Sequence, residues 1–109
     1  MPTTTMKQLA VYTTVDTEEA AQGLARSIIE QHLAACAQIT RIDSVYWWEG
    51  QVQQSPEYRL LFKTTESRYA AIAQAIKHQH PYELPALYAV PFERCDEAFA
   101  DWINAQSQP

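Results

Sequence analysis

An α+β sandwich is the fold class that this chain of 109 residues predicts, and three observations support it. Strand-like and helix-like segments follow one another in the order β-α-β-β-α-β, with one more short helical segment at the end. Two of the strand-like segments are long and are separated by the turn-forming pair Glu49-Gly50. The length corresponds to a single domain over residues 1–109, and a hydrophobic content of 47% is ample for a packed core.

The first strand and the first helix are predicted close to the N-terminus. Gln8–Thr14 is rich in Leu, Val, Tyr and Thr, which is typical of a strand. Asp16 followed by Glu19 forms a start similar to a capping box, and acidic residues are favoured at a helix N-terminus. Apolar residues then recur at helical spacing as far as about Ala34, and these are Ala20, Ala21, Leu24, Ala25, Ile28, Ile29 and Leu33.

The two long segments, Cys36–Trp48 and Val52–Thr64, predict a hairpin whose register follows from its turn. A symmetric turn places Cys36 opposite Lys63, and alternation then assigns a core face and a mixed face. The core face carries Ala37, Ile39, Tyr58, Leu60 and Phe62, and the mixed face carries Cys36, Ile42, Glu57, Arg59, Leu61 and Lys63. A bulge at Pro56 is the alternative, and it would shift these pairs.

The length of this hairpin predicts a surface for a partner. Strands of about 13 residues reach about 40 Å at roughly 3.3 Å per residue, whereas a compact domain of this size is about 34 Å across. The tip therefore extends beyond the globular part, and it carries Tyr46, Trp47 and Trp48. Exposed aromatic residues on a sheet edge are typical of contacts with another chain, so we expect an oligomer. The alternative is a tip that folds back on its own core.

The second half of the chain predicts a helix, a strand and a closing helix. Glu66–Gln79 predicts a helix that stops at Pro81. Leu84–Phe92 predicts the fourth strand, and Asp96–Asn104 predicts the closing helix. The complete order is the split βαβ arrangement of ferredoxin-like folds. The buried stripe of the second helix is expected to consist of Tyr69, Ile72, Ala73 and Ile76.

Composition and charge argue against two classes of partner. The net charge is −5 and the eight Lys and Arg residues are scattered, whereas nucleic-acid binding draws on clustered cations. No apolar run approaches the roughly 20 residues that cross a bilayer, so no membrane partner is expected. Met1–Lys7 has no signal pattern, which predicts a cytoplasmic protein, and residues 1–6 are expected to form a loose tail. In that compartment Cys36 and Cys95 are expected to be thiols.

The segment His80-Pro81-Tyr82-Glu83-Leu84-Pro85 is the leading candidate for function. Its two prolines rule out a helix and hold an imidazole, a phenol and a carboxylate on a stiff backbone. His80 is a candidate metal ligand or proton carrier, and structural hydrogen bonding is the alternative role. One histidine with Glu83 or Cys95 nearby would leave a metal under-coordinated. A tight metal site would therefore need groups from another chain.

A second candidate site is Lys63-Thr64-Thr65 at the end of the third strand, which offers a cation and two hydroxyl groups to an anion. A solvated lysine followed by a helix cap is the alternative. In the register above, Lys63 would also favour the thiolate of Cys36 as a nucleophile. The sequence places no histidine as its base, and Gly23 and Gly50 are the only glycines, so no enzyme is predicted.

Four motifs together resemble the divalent-cation tolerance (CutA) family, and they span about Val11 to Ile103 in the family's order. The motifs are Leu33-Ala34-Ala35-Cys36, Ser44-Val45-Tyr46-Trp47-Trp48-Glu49-Gly50, Lys63-Thr64-Thr65 and His80-Pro81-Tyr82-Glu83-Leu84-Pro85. The resemblance implies a ferredoxin-like fold, a tight homotrimer similar in build to PII signalling proteins, and hairpins that wrap across neighbouring subunits. It also implies tolerance to copper and other divalent cations.

This chain departs from the family pattern at both positions that are implicated in copper binding. The first strand ends Tyr12-Thr13-Thr14-Val15 without the family's cysteine, and the family's histidine pair is Gln79-His80 here. The Pro-Gly break of the second strand is replaced by Thr40-Arg41. Of the family's implicated ligands, only His80 is present.

The residues and the resemblance lead to three functional hypotheses. The first is a non-enzymatic cytoplasmic homotrimer that binds a divalent metal weakly through His80, with copper foremost because it leads the divalent affinity order at imidazole sites. The second is a sensor resembling PII proteins, which binds a small molecule or an anion in a cleft between subunits. That cleft would be lined by Cys36, Tyr46, Trp48, Lys63, Tyr82 and Glu83. The third is a structural trimer that serves as a scaffold.

Overall fold

A computed structural model describes residues 7–109 and confirms the predicted α+β order. The expected loose tail at residues 1–6 lies outside the described residues. A short 3-10 turn, Glu66–Arg68, precedes the second α-helix. The elements are β1 (Gln8–Val15), α1 (Glu18–Glu30), β2 (Cys36–Trp48), β3 (Gln51–Thr65), α2 (Tyr69–Gln79), β4 (Leu87–Pro91) and α3 (Glu97–Gln106).

The four strands form one antiparallel sheet in the order β2-β3-β1-β4, and its two faces differ in character. One face packs against α1 and α2 and holds the core, with Leu60 and Phe62 fully buried as predicted. The opposite face, here called the open face, is contacted by α3 at one end, where the Lys63 ammonium lies 5.3 Å from the Phe99 ring centroid. The remainder of the open face includes Tyr88, whose side chain is 51% exposed.

The hairpin register is the one that the symmetric turn predicts. Cys36 pairs with Lys63, and the pairing continues without interruption to Trp48 opposite Gln51. The bulge considered at Pro56 does not form, since this residue pairs directly with Asp43. β1 ends opposite Tyr58, so β3 has no neighbouring strand on its other edge at Pro56. A proline is tolerated at such an edge because the missing N–H group costs no hydrogen bond to a second strand.

The hairpin tip, defined as residues 45–54, projects from the globular part as its length predicts. The chain measures 55 × 26 × 21 Å, and its radius of gyration is 15.0 Å. A compact domain of this length has a radius of gyration of roughly 13 Å. Trp47 is 74% exposed at the tip, so in the single chain the tip does not fold back on its own core.

Several element boundaries differ from the predicted ones for local reasons. The N-cap of α1 is Thr17 rather than Asp16, and the Thr17 hydroxyl accepts a hydrogen bond from the Ala20 N–H at 3.0 Å. The same helix ends at Glu30 instead of near Ala34, because His32 adopts a left-handed backbone with φ of 55°. β4 begins at Leu87 rather than Leu84, and residues 80–86, here called the 80–86 loop, contact β1 and β3.

Across residues 7–109, none of the helices combines the length and apolar character needed to cross a membrane.

Two glycines in different backbone conformations provide a test of this fold. Gly50 has φ of 76° in the turn, and Glu49 beside it has φ of 52°, the combination that a type I′ turn requires. Gly50→Ala is expected to lower the free energy of unfolding by about 1–2 kcal/mol, because a side chain disfavours the left-handed region. Gly23 lies inside α1, and apart from the adjoining backbone of that helix no atom lies within 4 Å of an added Cβ. Gly23→Ala is therefore expected to raise the free energy of unfolding by about 0.5–1 kcal/mol.

Urea unfolding of both variants at one protein concentration measures the two changes. The opposite signs make each variant the control for the other. Stabilisation by Gly50→Ala would contradict the turn geometry.

Candidate functional site

The 80–86 loop connects the end of α2 to β1 through the His80 side chain. α2 ends at Gln79, and His80 adopts an extended backbone with φ of −73° and ψ of 136°, as a residue before proline should. The His80 Nε2 atom lies 2.9 Å from the Thr14 carbonyl oxygen and 3.1 Å from the Thr13 hydroxyl oxygen. The imidazole is thereby fixed against the end of β1.

The hydrogen bonds of His80 define its tautomer. The Tyr82 N–H group donates to His80 Nδ1 at 3.1 Å, and a backbone N–H group can only donate. The Thr14 carbonyl can only accept, so His80 Nε2 carries the proton. Both ring nitrogens therefore form hydrogen bonds. A cation could bind only the Nδ1 lone pair, and it would have to displace the hydrogen bond from the Tyr82 N–H group.

Burial lowers the pKa of His80 below its ordinary value of 6.5. The bond to the Thr14 carbonyl and the negative charges of Asp16 and Glu57 act in the opposite direction and are outweighed. At neutral pH the imidazole is therefore uncharged, which is the form that binds a metal ion. Its surroundings are acidic, since the two charges acting on it are carboxylates.

Tyr82 makes the second attachment of the loop, to the middle of the hairpin. The Tyr82 hydroxyl donates to Glu57 Oε2 at 2.7 Å, and Glu57 is only 8% exposed. Burial raises the pKa of Tyr82, and the bond to Glu57 raises it further, so the phenol stays protonated and keeps donating at physiological pH. The loop is thus held at two points, His80 on β1 and Tyr82 on β3.

Sequence reasoning missed two of the residues that build this arrangement. The sequence pattern places Glu57 on the mixed face of the hairpin without a role, and Thr13 falls in the run Tyr12-Thr13-Thr14-Val15, which lacks the family's cysteine. In the structure, Glu57 lies on β3 directly beyond Tyr58, the residue that faces the end of β1. The pairing of Glu57 with Tyr82, 25 positions away in sequence, depends on tertiary structure.

The residues of a single chain do not enclose a metal ion. Among residues 7–109, no group of three or more His, Cys, Asp or Glu side chains is arranged to hold one. His80 offers one exchangeable nitrogen, and Asp16 and Glu57 contribute negative charge nearby. Since Glu57 is already engaged by Tyr82, a closed coordination shell would need groups from a neighbouring subunit.

The six residues predicted to line a cleft lie at separate levels of the hairpin in one chain. Cys36 and Lys63 pair at its base, but the Lys63 ammonium lies over the Phe99 ring. Trp48 lies at the tip, and Tyr46 shares its face of β2, with its hydroxyl 3.2 Å from the Ser55 hydroxyl. Tyr82 lies between these levels, and Glu83 borders a cavity beside α2.

Comparison with known proteins gives a family match over most of the chain. The sequence profile of the CutA1 divalent ion tolerance protein family matches residues 9–106. The protein from Oryza sativa subsp. japonica named "Protein CutA 1, chloroplastic" is 41% identical over 102 residues, which are 93% of this chain. The chain spans 58% of the length of that rice relative. A divalent-cation tolerance protein CutA from Archaeoglobus fulgidus is 35% identical over 94 residues, which are 86% of this chain and 92% of the relative.

Solved structures agree with these sequence matches. The crystal structure of CutA1 from Oryza sativa superposes with a TM-score of 0.93 at 39% identity, covering 97% of this chain and 98% of that one. The structure described as the periplasmic divalent cation tolerance protein CutA from Archaeoglobus fulgidus has a TM-score of 0.90 at 33% identity. That match covers 93% of this chain and 99% of the other.

The lowered pKa of His80 predicts a loss of stability on mild acidification. Unfolded His80 titrates near the ordinary value of 6.5 and folded His80 titrates below it, so between these values the unfolded chain binds more protons. The contribution of His80 to stability is therefore complete above 6.5 and is lost as the pH falls through the folded pKa. Urea unfolding between roughly pH 8 and roughly pH 5 measures it.

Glutamine variants separate His80 from other acid-sensitive groups in this experiment. His80→Gln is expected to flatten the pH dependence, whereas His78→Gln, a change at an exposed residue in the last turn of α2, should leave it unaltered. Equal pH profiles for wild type and His80→Gln would contradict the assignment.

Proposed function

Because the chain belongs to the CutA1 divalent ion tolerance family, we propose that it acts in tolerance of divalent cations as a homotrimer that binds the cation weakly. The observation that supports this function best is the neutral imidazole of His80 in an acidic environment. A neutral imidazole supplies a lone pair, and the nearby carboxylates attract a cation rather than an anion. We propose copper(II) as the divalent ion bound most tightly, since imidazole ligands follow the order that peaks at copper.

The hydrogen bonds of His80 are the physical basis for proposing weak binding. A cation at Nδ1 displaces the bond from the Tyr82 N–H group, which lies 3.1 Å away. The Tyr82 N–H group is part-buried, and losing a hydrogen bond of this kind costs about 0.5–1.5 kcal/mol. Only ligands beyond His80 can offset this loss, and in the proposed trimer they come from a neighbouring subunit.

The homotrimer is proposed from surfaces that a single chain leaves uncovered. The hairpin tip exposes Val45, Trp47 and Val52 on one face, and Trp47 lies directly opposite Val52 in the strand pairing. The open face of the sheet exposes Tyr88 and Val90 as well. Two apolar surfaces on different parts of one chain suit head-to-tail contacts, which form a ring of three when the rotation between subunits is one third of a turn.

The cellular setting and the absence of catalysis are part of the same proposal. Cys36 and Cys95 are unpaired, which suits the reducing conditions of the cytoplasm. We propose no catalytic step, because the Lys63 ammonium lies over Phe99 rather than being committed to the Cys36 thiol. The predicted sensor cleft and the scaffold role remain alternatives that binding experiments separate.

Light scattering tests the assembly. The wild-type protein is expected to have three times the chain mass of 12.4 kDa. Trp47→Ser combined with Val52→Ser should lower the mass at equal concentration, because both changes remove apolar surface from the tip. Gln54→Ser, on the same face of the same strand, is the control and should keep the wild-type mass. A wild-type mass equal to one chain would refute the trimer.

Calorimetric titration with copper(II) tests the role of His80. His80→Ala is expected to weaken binding by about tenfold or more, because it removes the ligand itself. His78→Ala removes an exposed histidine two positions away and should behave as wild type. Identical binding curves for wild type and His80→Ala would rule out His80 as a ligand.

A thermal-shift screen with metals and anions separates the alternative functions. Thermal stabilisation by an anion but by no metal would favour the sensor, and stabilisation by neither would favour the scaffold.

A further inference from the structure

A cavity of about 430 Å³ lies between α2 and the 80–86 loop, apart from the His80 ring. Its volume falls in the range of roughly 300–1,000 Å³ that is usual for small-molecule sites. Its border includes Tyr69, Lys77, Tyr82, Glu83, Pro85 and Leu87.

The apolar part of the cavity is held in place by the rest of the fold. Tyr69 and Leu87 are partly buried and pack against the hydrophobic core. On the loop side, Tyr82 is fixed by its 2.7 Å bond to Glu57, and Pro85 has a restricted backbone. A ligand therefore meets a preformed surface, which reduces the entropy lost on binding.

Two side chains of opposite charge are among the residues that border the cavity. Lys77 lies in the last turn of α2, and Glu83 follows the end of that helix by four residues. Arg26–Glu30 is the single ion pair found among residues 7–109, so Lys77 and Glu83 are not paired with each other in the unliganded chain. Tyr69 lies eight residues before Lys77 on α2, which corresponds to about 12 Å along the helix axis.

We propose that this cavity binds a free α-amino acid with a large apolar side chain. The ligand's carboxylate pairs with the Lys77 ammonium, and its ammonium group pairs with the Glu83 carboxylate. The side chain then extends along α2 towards Tyr69 and Leu87. This binding goes beyond the proposed cation function and does not require His80.

The charges of the cavity disfavour two other classes of ligand. A polyphosphate would meet one lysine together with the like charge of Glu83, which opposes binding. A divalent cation would find a single carboxylate and the repulsive charge of Lys77. A zwitterion with an apolar body is the class that satisfies both charges and the apolar surface together.

Calorimetry of the full chain with L-phenylalanine and L-leucine tests the proposal. Both amino acids are expected to bind. Phenethylamine, which lacks the carboxylate, and 3-phenylpropionate, which lacks the ammonium group, should each bind about fivefold more weakly than phenylalanine, since an exposed ion pair contributes up to about that factor. Absence of amino-acid binding at roughly 10 mM, or equal binding of the single-charge analogues, would overturn the proposal.

Charge-neutral variants assign the binding to this cavity. Lys77→Gln and Glu83→Gln are each expected to weaken phenylalanine binding about fivefold. Lys7→Gln and Glu93→Gln change exposed charges outside the cavity and should have no effect. Wild-type affinity in both cavity variants would also refute the proposal. Copper(II) titration of the same cavity variants should match wild type, so failure of this site and failure of the cation function give different results.

Discussion

The difference in length between β1 and β3 is the constraint on which most of this structure depends. β3 runs from Gln51 to Thr65, but β1 covers only the part from Tyr58 to Thr65. Beyond Tyr58, towards the tip, no strand of residues 7–109 pairs with that edge of β3. The exposed tip, the tolerance of Pro56 and the position of Glu57 all follow from this mismatch. A sheet of equal strands would have offered neither the projecting arm nor the gap that the 80–86 loop contacts.

The 80–86 loop is held rigidly by hydrogen bonds, and one of them uses the same nitrogen that a cation would bind. Its two attachments, His80 to β1 and Tyr82 to Glu57, satisfy polar groups that would be costly to bury alone. The Nδ1 lone pair of His80 already serves the backbone of Tyr82, however, and one lone pair cannot serve two partners. In the proposed function, cation binding is therefore linked to release of the Tyr82 N–H group. The proposed weak affinity would then follow from the structural role of the histidine rather than from poor ligand chemistry.

Local patterns were sufficient for the hairpin but not for the site. The register could be predicted because a two-residue turn and alternating side chains leave one arrangement that buries Leu60 and Phe62. The end of α1 could not be predicted, because the helical spacing of apolar residues continues to Leu33. No local sequence feature requires the left-handed backbone of His32. Glu57 and Thr13 acquire roles only when the loop returns across the sheet. Composition cannot show such contacts between distant parts of the chain.

Symmetry explains how a chain with too few ligands can still present a binding site. In a cyclic trimer, one surface of each subunit contacts a different surface of the next subunit, and this contact occurs three times. Any side chain of a hairpin that lies near the 80–86 loop of a neighbour is therefore present in three copies. In the proposed trimer, the acidic groups around His80 would attract a cation, and the contact with a neighbouring hairpin would supply the ligands that one chain lacks. The exposed tip is then part of the site as well as of the assembly. Under this proposal, removing apolar surface at Trp47 would weaken cation binding without touching a ligand.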